Sequence, residues 1–187
     1  MEDNKFTGVL VPRTLEEQDD LNDIQKKIDE YGEYGPLIYR PSKDRYYLDI
    51  AKSVCRRSTC LKRKYGCVIV NNDEIIATGY NGNPRGMKNC CDIGKCIRIN
   101  KPHNSGDYSD CHSVHAEQNA MLSASRRDMI GETMYLYGEE CGVQFNAVPC
   151  PICARMIANS GITRVVNAAC ALKGSSFNVK NFIIGDK

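Results

Sequence analysis

The sequence lacks any run approaching the roughly 20 apolar residues that a helical membrane span requires. It also lacks charge of one dominant sign, since 25 basic against 23 acidic side chains leave only +2 at pH 7. A protein that follows a phosphate track carries a larger excess or a basic stripe. The balance therefore disfavours a nucleic-acid partner and suits a small anionic substrate. Met1-Glu2-Asp3-Asn4 is acidic and polar, without the basic and apolar regions of an export signal, so a cytoplasmic protein is expected. No internal repeat or low-complexity tract occurs. At 187 residues the chain can build one substantial core and is short for two ordinary domains.

What is abundant is cysteine. There are 11, an odd count, and in a reducing compartment such thiols serve as metal ligands or small buried hydrophobes more often than as disulfides. Histidine is scarce by contrast: His103, His112 and His115 are the three in the chain, and Cys111 lies among them. Composition alone points towards zinc.

Residues 1–41 read as an extension and linker. Thr14 to Glu30 has Leu15, Leu21, Ile24 and Ile28 at roughly helical spacing, with Thr14 and Glu17 as a capping box. Gly32, Gly35, Pro36 and Pro41 then interrupt the pattern. The domain proper is expected over 42–187. Ser42 to Thr59 reads as a helix capped by Ser42, with Tyr46, Ile50 and Val54 on its buried side, joined by Tyr47 and Ala51. Gly66 to Asn71 and Glu74 to Tyr80 form a hairpin pattern around Asn72-Asp73. A loop-rich stretch, Asn81 to Ser113, needs a function or a metal to hold it. Helices over Val114–Arg127 and Cys150–Asn159 alternate with strands at Thr133–Tyr137 and Thr163–Asn167, and a short last strand is placed at Phe182–Ile184. Such alternation implies parallel pairing and an α/β sandwich.

Two segments carry chemistry: His115-Ala116-Glu117 and Pro149-Cys150-Pro151-Ile152-Cys153. Cys150 and Cys153, three apart at a helix start, project from one face, and the helix terminus favours their thiolates. Pro149 and Pro151 suit a first turn, where a missing amide hydrogen costs nothing. His115 as third ligand leaves one tetrahedral position of a zinc ion open, the mark of a catalytic site, and water there ionises near neutral pH. Glu117 can face the same pocket and carry a proton from that water to a ring nitrogen and then to a leaving amine. The pattern H-x-E…P-C-x-x-C is the signature of zinc nucleobase deaminases. The competing reading is a structural zinc with Glu117 on the surface.

Pro41 to Asn167 resembles the deoxycytidylate (dCMP) deaminase family of the cytidine deaminase-like zinc hydrolases. The resemblance rests on GCVIV (Gly66–Val70), TGYNGNPRG (Thr78–Gly86) followed by Asn89-Cys90-Cys91-Asp92, HAEQNA (His115–Ala120) and PCPIC (Pro149–Cys153). It implies an α/β fold of three layers, α/β/α, with a central mixed sheet, a homo-oligomer, and hydrolysis of dCMP to dUMP and ammonia. It implies His115, Cys150 and Cys153 as zinc ligands and Glu117 as proton shuttle. It also implies Asn81 as a contact to deoxyribose or base, where a plain structural turn is the alternative. Arg126, on the helix that begins with the HAE motif, corresponds to a position near the nucleotide phosphate; Arg126 and Arg127 suit a solvated helix end equally well.

Some relatives carry a second, structural zinc, and the resemblance places Cys60 and Cys90 at two of its ligand positions. Cys96 and Cys111 are the natural replacements for the histidine and carboxylate of those relatives, with Cys91, His112 or His103 as substitutes. Reduced, partly buried thiols are the alternative. Cys55, Cys67, Cys141 and Cys170 are assigned to packing. Gly138 to Ala147 is an insertion relative to the usual connection, expected to form a lid or a subunit contact. The family also suggests regulation by dCTP or dTTP near the NGNP loop and a neighbouring subunit. Two rival functions stand beside dCMP deamination: a deaminase of bases in tRNA or single-stranded DNA, and a non-catalytic zinc nucleotide-binding protein.

Overall fold

The structure is a computed structural model that describes residues 15–32, 40–102, 109–172 and 176–178. The chain forms two compact units, Met1–Pro41 and Ser42–Lys187. In the first, helix α1 spans Leu15–Tyr31 and is followed by Gly32 at φ +66°, a left-handed residue that ends helices without steric cost. Thr14, the expected cap, lies outside the described residues, as do His103 and the strand placed at Phe182–Ile184.

The second unit starts with α2, Lys43–Cys55, whose N-cap Ser42 accepts a hydrogen bond from the Arg45 amide at 3.2 Å. It stops at Cys55, four residues before the expected end. Its buried face is Tyr47, Leu48, Ala51 and Cys55, while Tyr46 is half exposed. The face expected from periodicity is thus rotated. The cause lies in the sheet: a Cβ on Gly66 would overlap the backbone of Ala51 and Cys55, so the helix backbone rests directly on that glycine. Tyr47 completes the seating by donating its hydroxyl hydrogen to Asp73, whose backbone oxygen is at 2.7 Å and Oδ1 at 2.6 Å.

Strands β1 (Arg63–Asn71) and β2 (Glu74–Tyr80) form the expected antiparallel hairpin. Asn72 and Asp73 both have positive φ, as a two-residue type I′ turn requires. The one-turn helix α3 (Cys90–Ile93) follows in the long loop. The helix expected over Val114–Arg127 is two: α4 (Ala116–Leu122) and α5 (Arg126–Met129). Ser123 turns its hydroxyl back onto Asn119 O, and Ser125 caps α5 through Arg127 N. Strand β3 (Thr133–Glu140) runs three residues beyond its expected end, and β4 (Val143–Phe145) returns along it from a tip at Cys141-Gly142. The insertion is therefore a β-hairpin continuous with the sheet, held by Phe145 edge-on to Tyr65 and under the Arg63 guanidinium. Helix α6 (Pro151–Ser160), strand β5 (Arg164–Val166), helix α7 (Ala168–Leu172) and strand β6 (Phe177–Asn178) complete the described chain.

The sheet order is β2-β1-β3-β5-β6, with β4 on β3. Only β3 and β5 pair in parallel among the described strands, so the sheet is mixed. Alternation sorts its side chains cleanly. Cys67, Ile69, Met134, Leu136 and Val165 pack with Ala116 and Ala120 of α4 and Ile157 of α6. Val68, Val70, Tyr135, Tyr137 and Val166 pack with α2 and with Ala168 and Cys170 of α7. Helices thus cover both faces in three layers. A second glycine, Gly79, lets α4 touch the sheet as Gly66 does for α2, because its Cβ would overlap Ala116 O and Ala120 N.

Candidate metal centre and active site

His115 is the N-cap of α4 and Cys150 the N-cap of α6, with Pro151 in its first turn. Both helix starts are anchored from behind. Gly82, in the NGNP loop, forms a β-bridge with Val114, its carbonyl accepting from Val114 N at 2.8 Å. Asn167, only 2% exposed, donates to Ala147 O at 2.8 Å and accepts from Cys170 N at 3.1 Å, fixing the chain three residues before Cys150. Sequence reading missed Asn167, although its place one residue before the Ala168-Ala169-Cys170 run is a cap signal.

These supports bring His115, Cys150 and Cys153 together, with all ligand atoms within 4.8 Å of one another. His115 Nδ1 stands 3.6 Å from Cys150 Sγ and 3.4 Å from Cys153 Sγ. A tetrahedral zinc with ordinary bond lengths separates such a nitrogen and sulfur by about 3.6 Å. Two thiols and an imidazole are also the soft donor set that zinc takes. The residues present fit the ion. Cys153 supports the Cys150 thiolate by hydrogen bonding, pulling its pKa far down, and is itself pushed far up by the same contact. The Cys150 contact in turn raises His115. Glu117 is 4% exposed, and burial pushes its carboxyl above the usual range, with the Cys153 thiol beside it.

The other expected site residues are placed differently. Asn81 is buried, and its side chain is committed to the framework: Oδ1 accepts from Ser58 Oγ at 2.7 Å and Tyr65 N at 2.8 Å, and Nδ2 donates to Arg63 O at 2.9 Å. Arg126 is not on the HAE helix. It opens α5, is exposed, and its Nε donates to Asn159 O at 3.4 Å. Asp128, in the same turn, accepts from Asn71 at the far end of β1, whereas Asn81 adjoins its beginning. Within one chain Arg126 therefore lies at the opposite end of the sheet from His115.

Cys60, Cys90, Cys96 and Cys111 are all half-buried, and burial, followed by the charges of the other three thiols and Cys91, pushes Cys90 upward. Thr59 links the two sides of this group, donating from Oγ1 to Asn89 Oδ1 at 3.0 Å and accepting from Cys91 N at 3.3 Å. Among the described residues, His115, Cys150 and Cys153 form the one cluster of three or more such donors placed to share an ion. Cys55, Cys67 and Cys170 are buried as expected of packing residues; Cys141 instead sits exposed at the hairpin tip. A cleft of about 230 Å³ opens beside the NGNP loop, lined by Arg57, Asn83, Arg85, Asn89, Asn119 and Ser123 among others.

Residues 41–169 match the family described as the cytidine and deoxycytidylate deaminase zinc-binding region. A deoxycytidylate deaminase of Schizosaccharomyces pombe is 42% identical over 70% of this chain and 38% of its own length. One of Saccharomyces cerevisiae is 40% identical over 87% of this chain and 50% of its own. The chain thus spans half or less of the length of these two relatives. The dCMP deaminase of cyanophage S-TIM5, solved in complex with dCMP and dUMP, superposes with a TM-score of 0.50 at 27% identity, covering 69% of this chain and 82% of that one.

Proposed function

Because the chain belongs to the cytidine and deoxycytidylate deaminase family, we propose that it is a zinc-dependent hydrolase converting dCMP to dUMP and ammonia. The observation that carries this reading is the convergence of His115, Cys150 and Cys153 beside a buried Glu117. The first three would hold the ion and Glu117 would do the proton work, all within a deaminase domain over 42–187. When bound there, zinc would supply the Lewis acidity that lets water ionise near neutral pH. Glu117 accepts a proton from the attacking water, delivers it to the ring nitrogen next to C4, and serves the departing amine in the same way. The C4–O bond forms, the C4–N bond breaks, and ammonia leaves. Burial suits Glu117 to this shuttle, because a raised pKa lets one carboxyl both take and give a proton.

The same reading extends to parts with less direct support. Asn81 serves the sugar end by holding the NGNP loop, with one Nδ2 hydrogen left over for a ligand. A second, structural zinc would draw Cys60, Cys90, Cys96 and Cys111 into one four-thiolate cage that staples the long loop; their shared neighbourhood supports it. Regulation by dCTP or dTTP would use the cleft beside the NGNP loop, where Arg57 and Arg85 suit phosphates, in a homo-oligomer. No described helix is long and apolar enough to cross a membrane, and the free thiols suit a cytoplasmic enzyme. Ammonia release measured with zinc across cytidine, dCMP, CMP, dCTP and short cytosine- or adenosine-containing strands tests the assignment. Turnover of dCMP well above the rest is expected; turnover of the strands alone would overturn it.

A further inference from the structure

A residue whose side chain enters a metal pocket also needs its backbone held in place. His115 is in that position, because its ring faces Cys150 and Cys153. Its own backbone amide is among the donors that a helix start leaves without an intrahelical partner, and Gln118 takes it up. Its Oε1 accepts from the His115 backbone N–H at 2.9 Å, the reciprocal half of a capping box. The other end of the same amide reaches across to α6, where Nε2 donates to Met156 Sδ at 3.8 Å. Helix α6 carries Cys153 in its first turn and has Cys150 as its N-cap. One half-buried side chain therefore touches the main chain of one ligand residue and the helix that bears the other two.

We propose that Gln118 is a positioning residue for the metal centre: it fixes the backbone direction from which the His115 ring departs and sets the register of α4 against α6. The inference rests on the reading that His115, Cys150 and Cys153 hold zinc. Groups of this kind, which orient ligands without touching the ion, typically change metal affinity 10- to 100-fold when removed. Gln118 does so through the backbone of the ligand, and its own carboxamide has no need to approach the ion.

The test uses the full chain loaded with zinc and follows loss of zinc to a chromophoric chelator. Gln118→Met keeps length and helix propensity but removes both polar contacts. Its zinc should be lost about tenfold faster or more. Gln118→Glu restores the acceptor for the His115 amide and should bring the rate back to within about threefold, as a capping contact predicts. With cobalt(II) in place of zinc, the visible ligand-field bands should shift in Gln118→Met and return in Gln118→Glu, which a purely stabilising role would not produce. Zinc loss at the unchanged rate in a folded Gln118→Met, with unchanged cobalt bands, overturns the role of Gln118 alone. A wild-type chain that takes up no zinc overturns the metal reading beneath it. Should Gln118→Met fail to fold, Gln118→Glu decides: near-normal zinc loss and cobalt bands support the capping contact, and a tenfold faster loss overturns it.

Discussion

Two groups of cysteines share this chain and are held in different ways. Cys150 and Cys153 belong to the start of a ten-residue helix, where the turn itself fixes their separation and Asn167 fixes the approach. Cys60, Cys90, Cys96 and Cys111 hang from turns, a one-turn helix and loop, tied by isolated contacts such as Thr59 to Asn89 and Lys62 to Arg98 O. The first group meets an imidazole within bonding range of a common ion; the second gathers around Cys90 and forms no such cluster among the described residues. Regular structure can pre-organise ligands before the ion arrives. Loops leave more of that ordering to be supplied by binding, so metal there would act chiefly as a brace.

The sharpest way to break this contrast is Cys153→Ala, which should remove one equivalent of zinc by metal analysis and take dCMP turnover to background. Glu117→Gln should retain that zinc and lower kcat by about 10²- to 10⁴-fold, the usual worth of positioned acid–base catalysis. Retained turnover in either variant would place the chemistry elsewhere. Cys90→Ala and Cys111→Ala probe the other group. They should lose a second equivalent of zinc and lower Tm by about 2–4 °C, as a loss of about 1 kcal/mol does in a domain of about this size, while kcat changes by less than about threefold. A wild-type content of one zinc per chain, with Tm unmoved, would show that these thiols need no ion. Arg126→Ala should have the smallest effect, with KM for dCMP within about twofold, as for an exposed residue remote from the site; a tenfold rise would return Arg126 to the phosphate.

The same contrast accounts for what could be read before the structure. The convergence of His115, Cys150 and Cys153 is legible because H-x-E and P-C-x-x-C each open a helix, with prolines marking the second. The layered fold is legible in the alternation of β1 and β3 with helical segments. The buried face of α2 is not, because it is chosen by the missing side chain of Gly66 on another element. Arg126 falls outside the helix expected to carry it because the Ser123–Ser125 break ends α4 early, and short serine interruptions are weak signals within a helical pattern. The clamp formed by Asn81 escapes notice for a further reason. Its partners Ser58, Arg63 and Tyr65 lie far off in sequence and are reached mostly through backbone atoms, which carry no residue signature.

Gly79 leaves α4 in direct contact with the strand beneath it, and Ala116, the residue seated there, separates His115 from Glu117. Any substituent at position 79 would lift both neighbours together. Directed evolution would therefore find this seat between strand and helix unyielding. Mutant libraries are better concentrated on loop residues 83–87, which are at least partly exposed.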